Sequence, residues 1–140
     1  MTHKTFSSRQ EIFDHVTPLL FAQGQRSMGP LDPYGEEMCA YRGGENNELR
    51  CAVGFLIPDG LYYDGLEGCS AMGPEVSAVL SNVVTTADDL GLFLTDLQDV
   101  HDGWMTGEKA DLFDRLQTFA ITYKLDRTVL SGFGMVENPA

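Results

Sequence analysis

Three apolar stripes at helical spacing constrain this chain more than any other feature. Ile12, Phe13, Val16, Leu19, Leu20 and Phe21 make the first. Leu90, Phe93, Leu94, Leu97 and Val100 make the second, and Leu112, Phe113, Leu116, Phe119, Ala120 and Tyr123 the third. Steps of three and four place each set on one side of a helix. A helix with one apolar side must bury it against another element, so the three are expected to share a core. A chain of 140 residues with 43% hydrophobic content builds such a core without disulfides or metals. We expect one globular domain over 1–130 and a loose tail over 131–140.

Local signals set the helix ends. Ser8 followed by Glu11 fits a capping box, in which the hydroxyl accepts a free backbone N–H and the carboxylate reaches back. Pro18 removes a backbone donor inside the first stripe and predicts a kink near Asp14 to Pro18. Gly24 suits the stop. Gly73-Pro74 opens a short helix with Val76, Val79, Leu80 and Val83 on its apolar side. Thr86, with Asp88 and Asp89 in the first turn, predicts the start of the next helix, and Asp102-Gly103 its end. Thr106 caps the last long helix, Trp104 before it reads as core, and Asp126 caps a final turn through Leu130.

Residues Met38 to Arg42 and Leu49 to Val53 flank Gly43-Gly44-Glu45-Asn46-Asn47, which reads as a β-hairpin with a polar tip. A turn centred on Glu45 sets Cys39 opposite Cys51. The second strand is expected to run on to Ile57. The expected fold class is therefore α+β, with about four helices packed around a β-hairpin or small antiparallel sheet.

The net charge is −12, and it is segregated. Residues 32–75 hold nine acids against two bases, and residues 85–114 hold eight against one, each a net −7. The rest of the chain is +2. This balance argues against direct binding to nucleic acid or anionic lipid, which rests on clustered Lys and Arg. No apolar run reaches the ~18 residues of a membrane span, and the first residues lack a secretory signal's apolar core. Three cysteines, an odd number, fit free thiols in a reducing cytosol better than a disulfide framework.

Several short words stand in a fixed order. They are Gln10-Glu11-Ile12-Phe13-Asp14, Cys39-Ala40-Tyr41-Arg42-Gly43, Leu49-Arg50-Cys51-Ala52-Val53-Gly54 and Leu56-Ile57-Pro58-Asp59. Tyr63, Leu66-Glu67-Gly68 and Leu97-Gln98-Asp99-Val100-His101-Asp102 follow. In these the chain resembles a family of small acidic phage and prophage proteins that carry no assigned function. The resemblance covers most of residues 9–125. It implies action in the cytosol of an infected bacterium and brings no catalytic residues. Phe55 stands where the family's Cys-Ala-x-Gly-Cys run has a further cysteine, which removes support for any role needing a thiol there.

Four groups of residues are candidates for chemistry or binding. Asp96, Asp99 and Asp102 step by three along one helix, and Glu108, Asp111 and Asp114 along the next. With Glu45 and Glu48 at the hairpin tip they are expected to form a negative surface for a partner. Arg42 and Arg50, on facing strands, are hot-spot candidates or surface ion pairs. Cys39, Cys51 and Cys69 with His101 are the best metal candidates, but their spacing fits no standard zinc site. No nucleophile elbow, phosphate loop or dinucleotide fingerprint is present.

The leading expectation is a binding protein without catalysis or cofactor. Its acidic rows would engage a basic surface of a host or phage protein in place of nucleic acid, as in an inhibitor of a host defence or nucleic-acid-processing complex. Two alternatives stay open. One is a small metal-dependent enzyme using Asp96, Asp99, His101 and Asp102. The other is an accessory of phage assembly.

Overall fold

The computed structural model of this protein describes residues 4–29, 33–35, 39–86 and 89–133. These contain four α-helices: α1 (Arg9–Gln23), α2 (Pro74–Leu80), α3 (Gly91–Asp102) and α4 (Lys109–Thr122). Short 3-10 turns fill Val53–Leu56, Asp59–Leu61 and Asp64–Leu66, and another, the closing turn of the described residues, spans Thr128–Phe133. The α+β expectation is overturned. The described residues contain no strand and no sheet, only three isolated bridges: Phe6 with Val84, Met28 with Cys39, and Gly43 with Leu49.

The helices follow their stripes. Ile12, Phe13, Val16, Leu20 and Phe21 of α1 are buried, as are Phe93, Leu94, Leu97 and Val100 of α3 and Leu112, Leu116, Phe119 and Ala120 of α4. α1 packs on α4, on the closing turn and on Val53–Leu56, and α3 packs on α4. An aromatic cluster joins the three long helices. Phe93 lies 5.1 Å from Phe119 and meets Tyr123 edge-on at 5.0 Å, and Phe13 stacks on Phe119 at 6.0 Å. Such pairs contribute about 0.5–1.5 kcal/mol each beyond their buried area. Trp104 is fully buried at the α3–α4 corner and donates its indole N–H to the Glu108 carbonyl at 2.8 Å.

The ends show which local signals survived. Ser8 caps α1 by accepting the Glu11 N–H at 3.1 Å. Glu11 reaches back one residue further than a capping box requires, accepting the Ser7 N–H at 2.8 Å. α1 runs through Pro18 and ends at Gly24, whose φ of 73° suits glycine and whose N–H donates to the Leu20 carbonyl. α3 starts later than Thr86 predicts. Asp89 caps it from outside by accepting the Gly91 N–H at 2.9 Å, while Asp88 lies outside the described residues. Asp126 accepts the Thr128 N–H at 2.7 Å to start the closing turn. That turn extends past Leu130 to Phe133, whose ring stacks on Phe21 at 4.4 Å. Of the tail predicted over 131–140, residues 134–140 lie outside the described ones.

The hairpin fails for a definite reason: side chains capture the backbone groups that a ladder would use. Gly43 and Leu49 exchange two backbone hydrogen bonds of 2.9 Å, so the pairing centres on Asn46 rather than Glu45. Below that pair the ladder stops. The Tyr41 and Arg42 N–H groups both donate to the Glu67 carboxylate at 3.0 Å. The Arg50 N–H goes to Gln23 Oε1 and the Val53 N–H to Gln98 Oε1. With its N–H taken, Val53 enters a 3-10 turn instead of continuing a strand to Ile57. Buried backbone donors must find partners, and these are already satisfied from the side.

A guanidinium treats the carbonyls of the same region likewise. The Arg42 side chain is only 4% exposed. It donates to the carbonyls of Tyr41, Gly54 and Ile57, the last at 2.7 Å, and lies over the Tyr62 ring. Tyr62 in turn donates its hydroxyl to Glu67 at 2.7 Å. Gly54 is required for the approach, because a Cβ there would stand 2.6 Å from the Tyr41 carbonyl oxygen. Glu67 thus satisfies three donors, and Glu67→Ala is expected to lower unfolding free energy by about 3 kcal/mol, since each lost bond to a charged acceptor costs about 1.5–3 kcal/mol before relaxation. Urea denaturation measures this; a change under about 0.5 kcal/mol would show that water replaces the carboxylate.

Candidate functional site

The acidic rows of α3 and α4 meet along part of their length. A groove of about 410 Å³ lies between the two helices, with Asp96 and Asp99 on one side and Asp111 and Asp114 on the other. Val100, Phe119 and Tyr123 supply apolar surface, and Thr118 and Thr122 add hydroxyl groups. The close packing of α3 on α4 through Phe93, Leu97, Leu116 and Phe119 brings the two rows together.

Electrostatics within the groove are uneven. Arg115 is the one cation among its described lining residues, and its Nε donates to Asp111 at 3.0 Å, four residues back on α4. Tyr123 donates its hydroxyl to Asp96, and burial together with that carboxylate pushes the phenol up to about 12. Among the described residues Asp99 has no such hydrogen-bond partner. Burial, then the charges of Asp102 and Asp96, push its carboxyl above the ordinary carboxylate range.

The remaining sequence candidates go elsewhere. Asp102 turns away from the groove and accepts from His101 Nδ1 at 2.7 Å and from Gln98 Nε2 at 3.0 Å. His101 is fully buried, and its Nε2 accepts the Ser27 backbone N–H at 2.8 Å. That fixes the tautomer with the proton on Nδ1, donated to Asp102. Ser27, His101 and Asp102 have the composition of a hydrolytic triad, but the Ser27 hydroxyl donates to the Ala40 carbonyl at 2.7 Å and not to the ring. Both ring nitrogens serve the fold.

Asp96 and Asp99 therefore do not converge with His101 and Asp102 on one reacting centre. Among the described residues no group of three His, Cys, Asp or Glu is arranged to hold a metal. Glu108 is exposed at the start of α4, and Glu45 and Glu48 are exposed at the 44–48 tip; none of them lines the groove. Glu48 instead accepts the Asn46 N–H. Arg42 is committed to carbonyls as described above. Arg50 is half-buried, donates to the Asn47 and Leu49 carbonyls, and shares the 90%-exposed Asp59 with Arg42. Cys39, Cys51 and Cys69 are all free thiols.

Sequence reasoning missed three participants. Gln98 is a buried polar residue inside an apolar stripe, linking Val53 to Asp102. Tyr123 continues the α4 stripe and reads as core, yet its hydroxyl reaches the groove. Glu67 sits in a word that carried a resemblance but no stated task. A buried glutamine on a helix's apolar side is the one signal that flags a polar link in advance.

Comparison with protein families, with curated proteins and with solved structures finds no match to this chain.

Asp99 provides a test of the groove's chemistry. A raised pKa means that the native state holds the proton more tightly than the unfolded chain. The ionised carboxylate therefore costs stability at neutral pH, and the cost disappears as pH falls below the ordinary carboxylate range. Asp99→Asn is expected to stabilise the protein at neutral pH by up to about 1 kcal/mol, given about 0.2–0.5 kcal/mol for each like-charged neighbour on a helix. The gain should shrink on acidification. Urea unfolding across a pH series reads both effects, and a loss of stability at pH 7 contradicts the account.

A second test concerns the buried histidine. His101→Phe leaves the Ser27 N–H without its acceptor and is expected to cost about 1–3 kcal/mol. The same unfolding measurement checks it.

Proposed function

We propose that this chain is a binding protein whose α3–α4 groove engages a basic surface of another protein. The observation that carries this reading is the placement of Asp96, Asp99, Asp111 and Asp114 around one groove with an apolar, aromatic floor. Four carboxylates on such a floor suit Lys or Arg side chains, whose heads pair with carboxylates while their stems lie on apolar surface. Asp99 also supports it: the groove retains a carboxylate held against its own burial and against two neighbouring charges. An incoming cation relieves that repulsion, so the binding site carries a stability cost when empty.

The partner we favour is a host or phage protein that presents a basic, nucleic-acid-binding surface. Carboxylates along α3 and α4 stand in for phosphates, and the protein acts as an inhibitor by occupying that surface. The resemblance to small acidic phage proteins supports action in the cytosol of an infected bacterium. Among the described residues no helix is long and apolar enough to cross a membrane. Neither a metal-dependent enzyme nor an assembly accessory has a specific observation in its favour.

Affinity capture from a bacterial host, with mass spectrometry, tests the reading. A basic nucleic-acid-binding protein should be recovered and should be released by high salt, where screening shortens to about 3 Å near 1 M. The Asp99→Lys, Asp114→Lys variant leaves the Asp111–Arg115 pair intact and should fold. It is expected to lose at least about tenfold in affinity for that partner, or about 1.4 kcal/mol. Unchanged affinity in this variant would sink the proposal.

A further inference from the structure

A second pocket, of about 160 Å³, shares no lining residue with the α3–α4 groove and differs from it in charge. Three separate segments build it. Lys4 and Phe6 come from the arm before α1, His15 comes from α1, and Phe55 to Pro58 come from the end of the 3-10 turn that Val53 opens. No Asp or Glu is among its described lining residues, in a chain whose net charge is −12.

The walls are held from behind. Phe6 donates its N–H to the Val83 carbonyl at 2.7 Å, and its own carbonyl accepts the Thr85 N–H at 2.8 Å. The Phe55 carbonyl can only accept, so His15 Nε2 carries a proton and donates it there at 3.2 Å. Arg42 fixes the Ile57 carbonyl at 2.7 Å. Phe6, Leu56 and Ile57 are buried, and the Phe6 ring packs against the His15 ring with centres 4.9 Å apart. The pocket is therefore formed before any ligand arrives, as small-molecule sites usually are.

Its charge comes from one side chain. Lys4 is exposed, its Nζ stands 5.7 Å from the centre of the Phe6 ring, and it makes no ion pair among the described residues. Glu11 and Asp14 line an adjoining depression that shares Lys4 and His15. Both carboxylates are already engaged there: Glu11 accepts the N–H and the hydroxyl of Ser7, and Asp14 accepts from Gln10. Burial pushes the His15 ring below its ordinary range, which leaves it neutral at pH 7.

We infer that this pocket binds a small aromatic carboxylate of about the size of benzoate, with its ring among Phe6, Phe55 and Ile57 and its carboxylate at Lys4. The volume sets the size, since a cavity of about 150 Å³ lined by Leu, Ile and Phe admits one benzene ring. The Phe6 and Phe55 rings favour an aromatic body, which can meet them edge-on or offset. The ammonium at the mouth, with no acid in the lining, selects an anion over a neutral or cationic analogue. This site is independent of the α3–α4 groove, which suits cations.

Backbone amide NMR of the whole protein, titrated separately with sodium benzoate and benzyl alcohol, tests the inference. Benzoate should shift the amides of Phe6, His15, Phe55 and Ile57 and leave those of Asp96, Asp111 and Asp114 in place, with Kd near or below about 1 mM. Benzyl alcohol, which has the ring without the charge, should bind the same residues about threefold more weakly, as expected for one exposed ion pair. Lys4→Gln should weaken benzoate by the same factor and bring it level with benzyl alcohol. Lys124→Gln, an equal change of charge outside the lining, should leave both affinities unchanged. Phe55→Ala should weaken both ligands. No amide shift at about ten times the expected Kd, shifts confined to residues outside the pocket, or an unchanged affinity for benzoate in Lys4→Gln would each overturn the inference. Lys4 is exposed, so its variant keeps the test open even where Phe55→Ala folds poorly.

Discussion

A carboxylate and a guanidinium hold the middle third of this protein together. Between α1 and α2 the chain makes no sheet among its described residues and only short turns, yet Tyr41, Cys51, Val53, Leu56 and Leu66 are buried. Burial of irregular backbone is costly unless every N–H and C=O is satisfied. Glu67 meets the N–H groups of Tyr41 and Arg42, and Arg42 meets the carbonyls of Tyr41, Gly54 and Ile57. The Gln23–Arg50 and Gln98–Val53 pairs extend the same solution to α1 and α3. The helical stripes supply the core, and this polar frame lets a non-helical segment close over it.

The frame also gives several short sequence words a common place in the fold. Cys39 to Gly43, Cys51 to Gly54, Leu56 to Asp59 and Leu66 to Gly68 are far apart in sequence and meet around Arg42 and Glu67. His101-Asp102 belongs with them, since the ring accepts from Ser27, Ser27 pairs with Ala40, and Asp102 gathers Gln98. Residues with the look of catalytic groups are spent on architecture. Ser27 and His101 are buried, Asp102 is partly exposed but accepts from His101 and Gln98, and these internal partners separate the three from the α3–α4 groove, where carboxylates face an open surface and repel one another. The polar cluster is partnered inside the fold, and the groove is left with carboxylates that repel one another.

The candidate site was legible in the sequence only in part. Steps of three placed Asp96 and Asp99 on one helix side and Asp111 and Asp114 on another, and the groove unites these four. The same steps gave no means of separating them from Asp102 and Glu108. A helix turns 100° per residue, so a row spaced by three drifts around the axis. By Asp102 the drift has carried the side chain to His101 and Gln98. Arg115 sits four residues after Asp111 on one helix, a spacing that local pattern encodes, whereas Tyr123 joined the site through Asp96 on the other helix, a contact that it does not.

Local chemistry by itself determined the helices: three stripes, the Ser8 and Gly24 caps, Pro74 at the start of α2 and Asp126 before the closing turn. These depend on neighbours within four or five residues, which a linear reading sees. It also determined the excess of acid and its division into two segments. Only the tertiary structure decided between hairpin and loop, because the partners that capture the Tyr41, Arg42, Arg50 and Val53 N–H groups lie about 25 to 45 positions away in the chain. A strand pattern states what a backbone can pair with. Which donors remain free to pair is settled by the side chains that folding brings alongside.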